Sequence, residues 1–196
     1  MPVTVKFAKV NPRAIIPSKE SENSSYDIYA CFSEDELKIP AHCTVMVPTG
    51  IASAIEPGWG FRIEERGSTG SIGMKKSAGV IDSGYRGEWF IAITNTNDND
   101  IIISKLVDEV KCVSPLNNAE KPRKYNNRNL LTTEVASNNC VLLDTVPDVI
   151  YYPYKKAIAQ ATIEKIYEPE IEEIPYEDLL KIPSKRKDGK LGYSGK

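Results

Sequence analysis

Residues Ala78–Glu88, AGVIDSGYRGE, decide how this chain reads. Val80 and Ile81 are β-branched and lead into Asp82, and Ser83-Gly84, Tyr85, Arg86 and Gly87 follow. Short β-formers that end at a Ser-Gly pair predict a strand entering a tight hairpin turn. With Ser83 and Gly84 as a two-residue loop, Asp82 and Tyr85 flank it and share one face of the ladder. A carboxylate and an aromatic ring then stand side by side on a rigid element, which suits a ligand that is both stacked upon and attacked. A second reading stays open from these residues alone. Asp82 can serve the turn itself, a common job for Asp, with Tyr85 as a cross-strand packing residue.

Outward from this stretch, short strands and turns alternate. Val3, Val5 and Phe7 alternate with Thr4 and Lys6, a strand pattern. Strands are predicted at Tyr26–Ala30, Leu37–Ile39, Thr44–Val47, Ile51–Ile55 and Gly60–Glu64, with Glu88–Thr94 as the return strand of the central hairpin. Ile101–Ile103 and Ile158–Ile163 continue the pattern, and Arg66–Gly73 reads as a glycine-rich loop. Many short strands punctuated by turn signals predict an all-β sandwich, jelly roll or barrel. The strand-rich core is expected over residues 1–105 and 154–167. Residues 106–153, rich in Asn and carrying the basic run Lys121–Arg128, read as an insertion. Residues 168–196 read as an acidic, proline-punctuated tether followed by a basic, glycine-rich arm, with one helical turn at Glu177–Leu180.

Bulk properties narrow the function. The 196 residues carry 25 Lys+Arg against 27 Asp+Glu, a net charge of −2, which argues against a general nucleic-acid or membrane binder. The start, MPVTVKFAKV, lacks the apolar run of a signal peptide, and no stretch approaches the length of a membrane span. The expectation is a cytoplasmic protein with reduced thiols at Cys31, Cys43, Cys112 and Cys140. The single histidine, His42, lies in the turn Pro40–Cys43 and reads as a surface residue, which argues against zinc.

Three features point to a phosphorylated ligand. The Arg66–Gly73 loop can offer backbone N–H groups and the hydroxyls of Ser68 and Thr69, as anion-binding concavities do. Arg186 in the C-terminal arm supplies a guanidinium suited to bidentate phosphate contact. Asp27 and Asp82 are carboxylates within apolar strands, where a charge is costly without a task or a partner. Carboxylates meeting a hard cation and phosphate oxygens describe magnesium.

The chain resembles the trimeric dUTPases, whose five motifs appear here in the family's order. Ser24–Ala30, SSYDIYA, is similar to SAGYDLYA, and Val47–Ile51, VPTGI, is also typical of the family. Arg66–Gly70, RGSTG, is similar to RSSLA or RSGLA. Gly79–Gly87 matches GVIDxxYRG, Ile158–Gln160 is similar to RIAQ, and the tail from Arg186 is similar to RGxGGFGSTG.

The resemblance implies a jelly-roll-like fold, a homotrimer with shared sites, and hydrolysis of dUTP to dUMP and pyrophosphate with Mg2+. It implies that Asp82 activates the attacking water and that Tyr85 packs on the deoxyribose. The backbone near Gly79 and Ile81 would read uracil. Arg66, Ser68 and Gln160 would contact phosphates, Gly67 and Thr69 would belong to the same substrate-binding loop, and Asp27 would hold waters of the magnesium. Arg186 would close over the outer phosphates, and Leu191 would lie over the base.

Four departures stand out: Gly67 for a Ser, Tyr154–Ala157 (YKKA) for KGDR, Leu191 for a stacking Phe, and Lys190 for a Gly. The deaminase that shares this fold is a further enzymatic alternative, but no deaminase-type Glu motif is present. An alternative of another class is a regulatory protein on a dUTPase scaffold, which binds a protein partner through residues 106–153.

Overall fold

A computed structural model of the chain describes residues 3–113, 123–124 and 148–184. The first compact unit, Met1–Ile166, is built from strands. They are β1 (Val5–Lys9), β2 (Tyr26–Ile28), β3 (Glu36–Ile39), β4 (Thr44–Pro48), β5 (Ile51–Ile55), β6 (Trp59–Glu64) and β7 (Met74–Lys76). There follow β8 (Val80–Asp82), β9 (Phe90–Asn95), β10 (Ile101–Ser104), β11 (Lys111–Val113), β12 (Arg123–Lys124), β13 (Val149–Pro153) and β14 (Ala159–Lys165). A one-turn helix, α1 (Gly67–Gly70), interrupts them. The fold is the all-β fold anticipated from the strand and turn pattern.

The strands form four sheets, ordered β1-β5, β12-β11-β13-β10-β3, β2-β14-β6-β8 and β4-β9-β7. Side chains alternate along β5, where Ile51, Ser53 and Ile55 are buried and Ala52 and Ala54 are not, as a half-buried strand requires. Trp89 is fully buried and meets Phe7 and Phe61 edge-on, with ring centroids 5.6 and 4.8 Å away. These tilted contacts suit the charge distribution of aromatic rings. The turn between β4 and β5 needs Gly50. Its φ is +67°, and a Cβ there would lie 2.9 Å from both Ala14 Cβ and Cys31 Sγ.

One expectation is corrected. The turn at Ser83-Gly84 is present, closed by the Tyr85 N–H donating to the Asp82 carbonyl at 3.1 Å. However, Glu88–Thr94 does not return beside β8. Instead, β8 pairs with β6, whereas β9 pairs with β4 and β7 in another sheet. Burial of Trp89 pulls the chain across. Its N–H donates to the Ile51 carbonyl at 2.8 Å, and its own carbonyl accepts from the Thr49 hydroxyl at 2.7 Å. The Gly50 N–H adds a bond to Glu88 Oε1 at 2.7 Å.

The loop expected at Arg66–Gly73 contains α1. The Thr69 hydroxyl closes this turn by bonding both the N–H and the carbonyl of Arg66, each at 3.1 Å. Residues 149–153, from the segment read as 106–153, form β13, which pairs in parallel with β10 and buries Ile150 and Tyr152. Cys31 and Cys43 are free thiols, and the Cys112 thiol donates to Asp148 Oδ2 at 3.8 Å.

The second unit begins at Tyr167. It contains α2 (Tyr176–Lys181), close to the helical turn expected there, with Glu177 and Asp178 in its first turn and Lys181 in its last. That order complements the helix dipole. Arg186, Lys190 and Leu191 lie outside the described residues, as do Cys140 and most of the basic run Lys121–Arg128.

Candidate active site

Two groups of site residues form on the first unit. The first gathers around Arg66, which follows β6 and precedes α1. Its Nε lies 3.0 Å from Asp27 Oδ1, and its NH2 donates to Asp27 Oδ2 at 3.3 Å. A third nitrogen, NH1, donates to the Ala157 carbonyl at 3.4 Å. Gln160 stands opposite Asp27 on one side of β14 and opposite Glu64 on the other. Its Nε2 donates to the Glu65 carbonyl at 2.8 Å. Ser68 is exposed at the end of this cluster, whereas Thr69 is buried and its hydroxyl is used within α1. Gly67 is exposed beside Ser68, and a Cβ there would meet nothing within 4 Å.

The second group surrounds Asp82 at the end of β8, the edge strand of its sheet. Asp82 is exposed. Tyr85 is 43% exposed, and its hydroxyl donates to the Glu88 carbonyl at 2.9 Å, which fixes the ring over Gly87. Arg86 turns back, and its NH1 donates to the carbonyls of Ser83 at 2.5 Å and Tyr85 at 3.0 Å. A hollow of about 210 Å³ opens here, lined by Met46, Val80, Ile81, Asp82, Tyr85 and Phe90. Gly79 packs tightly against β6: its carbonyl accepts from the Ile63 N–H at 2.8 Å, and a Cβ would lie 3.0 Å from the Ile63 carbonyl oxygen.

Within one chain the two groups stay apart. Asp82 pairs with Gly60 and Gln160 with Glu64, on opposite edges of β6. Four residues of rise along a strand and two strand spacings put them roughly 16 Å from each other. At that separation Asp82 makes no contact with the Arg66 cluster of its own chain.

The sequence pattern of the dUTPase family matches residues 11–107. A deoxyuridine 5'-triphosphate nucleotidohydrolase of Syntrophotalea carbinolica is 32% identical over 106 residues, covering 52% of this chain and 71% of that relative. The chain belongs to the dUTPase family. A second such relative, from Helicobacter pylori strain Shi470, is 30% identical over 100 residues, covering 49% of this chain and 67% of its own length.

Among solved dUTPase structures, a mutant of the Staphylococcus bacteriophage 80alpha enzyme with dUpNHpp has a TM-score of 0.66 at 19% identity. It covers 97% of this chain and 98% of that one. A mutant from phage phi11 of S. aureus, with a coordinated structural Mg(II) ion, has a TM-score of 0.56 at 17% identity. It covers 87% of this chain and 96% of that one. At these identities the likeness is one of fold.

The donor set of this dUTPase-family chain bears on a metal. Among the described residues, no three His, Cys, Asp or Glu side chains cluster as a resident metal site would need. Asp27 is one carboxylate, 33% exposed and already gripped by Arg66. Such a site fits a hard cation that arrives on phosphate oxygens and keeps much of its water. His42, exposed and 2.9 Å from Asp98, is a surface residue of the dUTPase fold. Among the described residues, no helix is long and apolar enough to cross a membrane.

Sequence reasoning missed Tyr152 in this family site. It falls within residues 106–153, read as an insertion, yet its phenol lies beside Arg66. Burial pushes this phenol above its ordinary pKa, opposed by the Arg66 charge and the Ser68 hydroxyl. The β-branched and aromatic run Val149–Tyr152 carries a strand signal that the reading of 106–153 as an insertion passed over, and nothing local signals its neighbour.

Proposed function

We propose that this chain hydrolyses dUTP to dUMP and pyrophosphate. The observation that carries the reading is the Asp82–Tyr85 turn. It places an exposed carboxylate beside a tethered aromatic ring, on a chain that belongs to the dUTPase family. Asp82 takes a proton from a water whose oxygen bonds the α-phosphorus. The bond from that phosphorus to the bridging oxygen breaks, and pyrophosphate leaves. Tyr85 packs on the deoxyribose and leaves no room for a 2′-hydroxyl, while the backbone at Gly79 and Ile81 reads the base.

Arg66, with Gly67 and Ser68, and Gln160 hold phosphates, Thr69 keeps the α1 turn closed beneath them, and Asp27 fixes the guanidinium. Asp27 would hold the waters of a magnesium ion carried on the triphosphate, and the chemistry such an ion would supply is neutralisation of phosphate charge. Positioning and charge stabilisation are what phosphoryl chemistry asks of a protein. The ~16 Å between the two groups in one chain supports a shared site, in which Asp82 of one copy serves the Arg66 cluster of another. A homotrimer answers that need, and Arg186 and Leu191 complete the site.

Incubation with dUTP, UTP and dCTP, with and without magnesium, tests the reading. Magnesium-dependent release of pyrophosphate from dUTP alone is expected. Equal hydrolysis of UTP, or ammonia release from dCTP, overturns it.

A second role rests on β11 and β13, which pair antiparallel and so bring Val113 and Val149, on either side of residues 114–147, together on the sheet. Partner binding through residues 106–153 is compatible with that geometry. Removal of 114–147 is then expected to leave dUTP hydrolysis intact.

A further inference from the structure

Tyr152 is a buried side chain with a polar end that the reaction scheme above does not use. It lies on β13, in the sheet of β10 and β3, whereas Asp27 and Gln160 belong to the sheet of β2, β14 and β6. Its side chain is 0% exposed, and its hydroxyl donates to the Ala157 carbonyl at 2.7 Å. Arg66 NH1 donates to the same carbonyl. That carbonyl sits in the connection from β13 to β14, which also contains the bond from the Lys156 N–H to the Pro153 carbonyl at 3.0 Å.

The Tyr152 hydroxyl therefore closes residues 152–157 into a ring across the connection, and Arg66 NH1 is bonded to the same carbonyl, beside the phenol. Both lone pairs of the carbonyl have a donor. A phenylalanine would fill the same space and leave the carbonyl to Arg66 alone, over a longer and weaker bond.

We propose that Tyr152 is a positioning residue for phosphate binding: its hydroxyl fixes the Ala157 carbonyl as the third anchor of Arg66, so that the guanidinium and Ser68 meet the triphosphate in one arrangement. The consequence for ligand binding rests on the dUTP reading; the consequence for Arg66 itself does not.

The test is Tyr152→Phe in the full chain, with three readouts. The Nε–Hε signal of Arg66, recorded by NMR without ligand, reports the guanidinium directly and is expected to shift and exchange faster. Affinity for the non-hydrolysable analogue dUpNHpp is expected to fall about 5–10-fold, as loss of one buried hydrogen bond implies. Affinity for deoxyuridine, which has no phosphate, is expected to stay within about twofold of the parent. In an Arg66→Gln background the same change should have no further effect on dUpNHpp, because coupled residues are not additive.

An unchanged Arg66 signal with unchanged dUpNHpp affinity overturns the proposal. So does an equal loss with and without Arg66, or a variant that does not fold, since either assigns Tyr152 to stability alone. If the parent chain does not bind dUpNHpp, the dUTP reading fails by itself, and the Arg66 signal still decides the role of Tyr152.

Discussion

Arg66 holds Asp27 with two nitrogens, Nε at 3.0 Å and NH2 at 3.3 Å, and thereby ties the strand that follows the first loop to the turn that opens α1. The side chains are 30% and 33% exposed, so the pair is bathed in part by water. A pair of this kind contributes below about 1 kcal/mol to stability. Its larger effect is to fix the direction of a guanidinium that would otherwise sample many rotamers. Asp27→Asn is accordingly expected to keep the fold, with a loss of at most about 1 kcal/mol in urea denaturation. Turnover of dUTP should fall at least about tenfold, because a 1.4 kcal/mol loss of transition-state stabilisation already has that effect.

Asp82 has the opposite profile, being exposed at the end of an edge strand. Asp82→Asn should leave stability within about 0.5 kcal/mol of the parent. If Asp82 is the base, kcat falls about 10²–10⁴-fold. A steady-state assay alongside a melting curve separates the two quantities. A variant with parental kcat removes Asp82 from the chemistry.

The Tyr85 ring is tethered by the bond from its hydroxyl to the Glu88 carbonyl. Tyr85→Phe keeps the ring and loses the tether, a change of about 0.5–1.5 kcal/mol. The expected result is a modest rise in KM for dUTP. Tyr85→Ala removes the ring and should raise the rate on UTP relative to dUTP. Competition between the two nucleotides measures that ratio.

Gly50 couples the core to the turn of the site through its N–H on Glu88. Gly50→Ala places a methyl group 2.9 Å from Ala14 Cβ and Cys31 Sγ at a φ of +67°. Strain at such a position costs on the order of 1–3 kcal/mol. Chemical denaturation should show it, with the midpoint lowered and the slope unchanged.

Acid sensitivity should involve Asp100. The Lys38 ammonium, 2.6 Å away, and then the Ala41 N–H hold its carboxyl below the usual range. A carboxylate depressed in the folded state contributes stability that is complete above its unfolded value, about 3.9. That contribution is lost as pH falls through the lower folded value. Asp100→Asn should therefore narrow the gap between urea midpoints at pH 6 and pH 3, pH values chosen about either side of that figure.

Much of this protein is written locally. Alternation along Ile51–Ile55, the Ser83-Gly84 turn and the order of the dUTPase motifs each depend on residues within a few positions of one another. Sheet assignment is different. The residues of β9 form a strand by their own composition, but whether they pair with β8 or β4 depends on where Trp89 can be buried. That burial is decided by Phe7 and Phe61, far away in the chain.

The site divides in the same way. The residue types at Asp27, Arg66, Asp82, Tyr85 and Gln160 were legible from their motifs. The grip of Arg66 on Asp27, the ~16 Å that separates Asp82 from that cluster, and the arrival of Tyr152 beside Arg66 are products of strand pairing. The physical reason is range. Turn chemistry and pleat periodicity act over a few residues, whereas burial selects partners from the whole chain, and no local pattern encodes that choice.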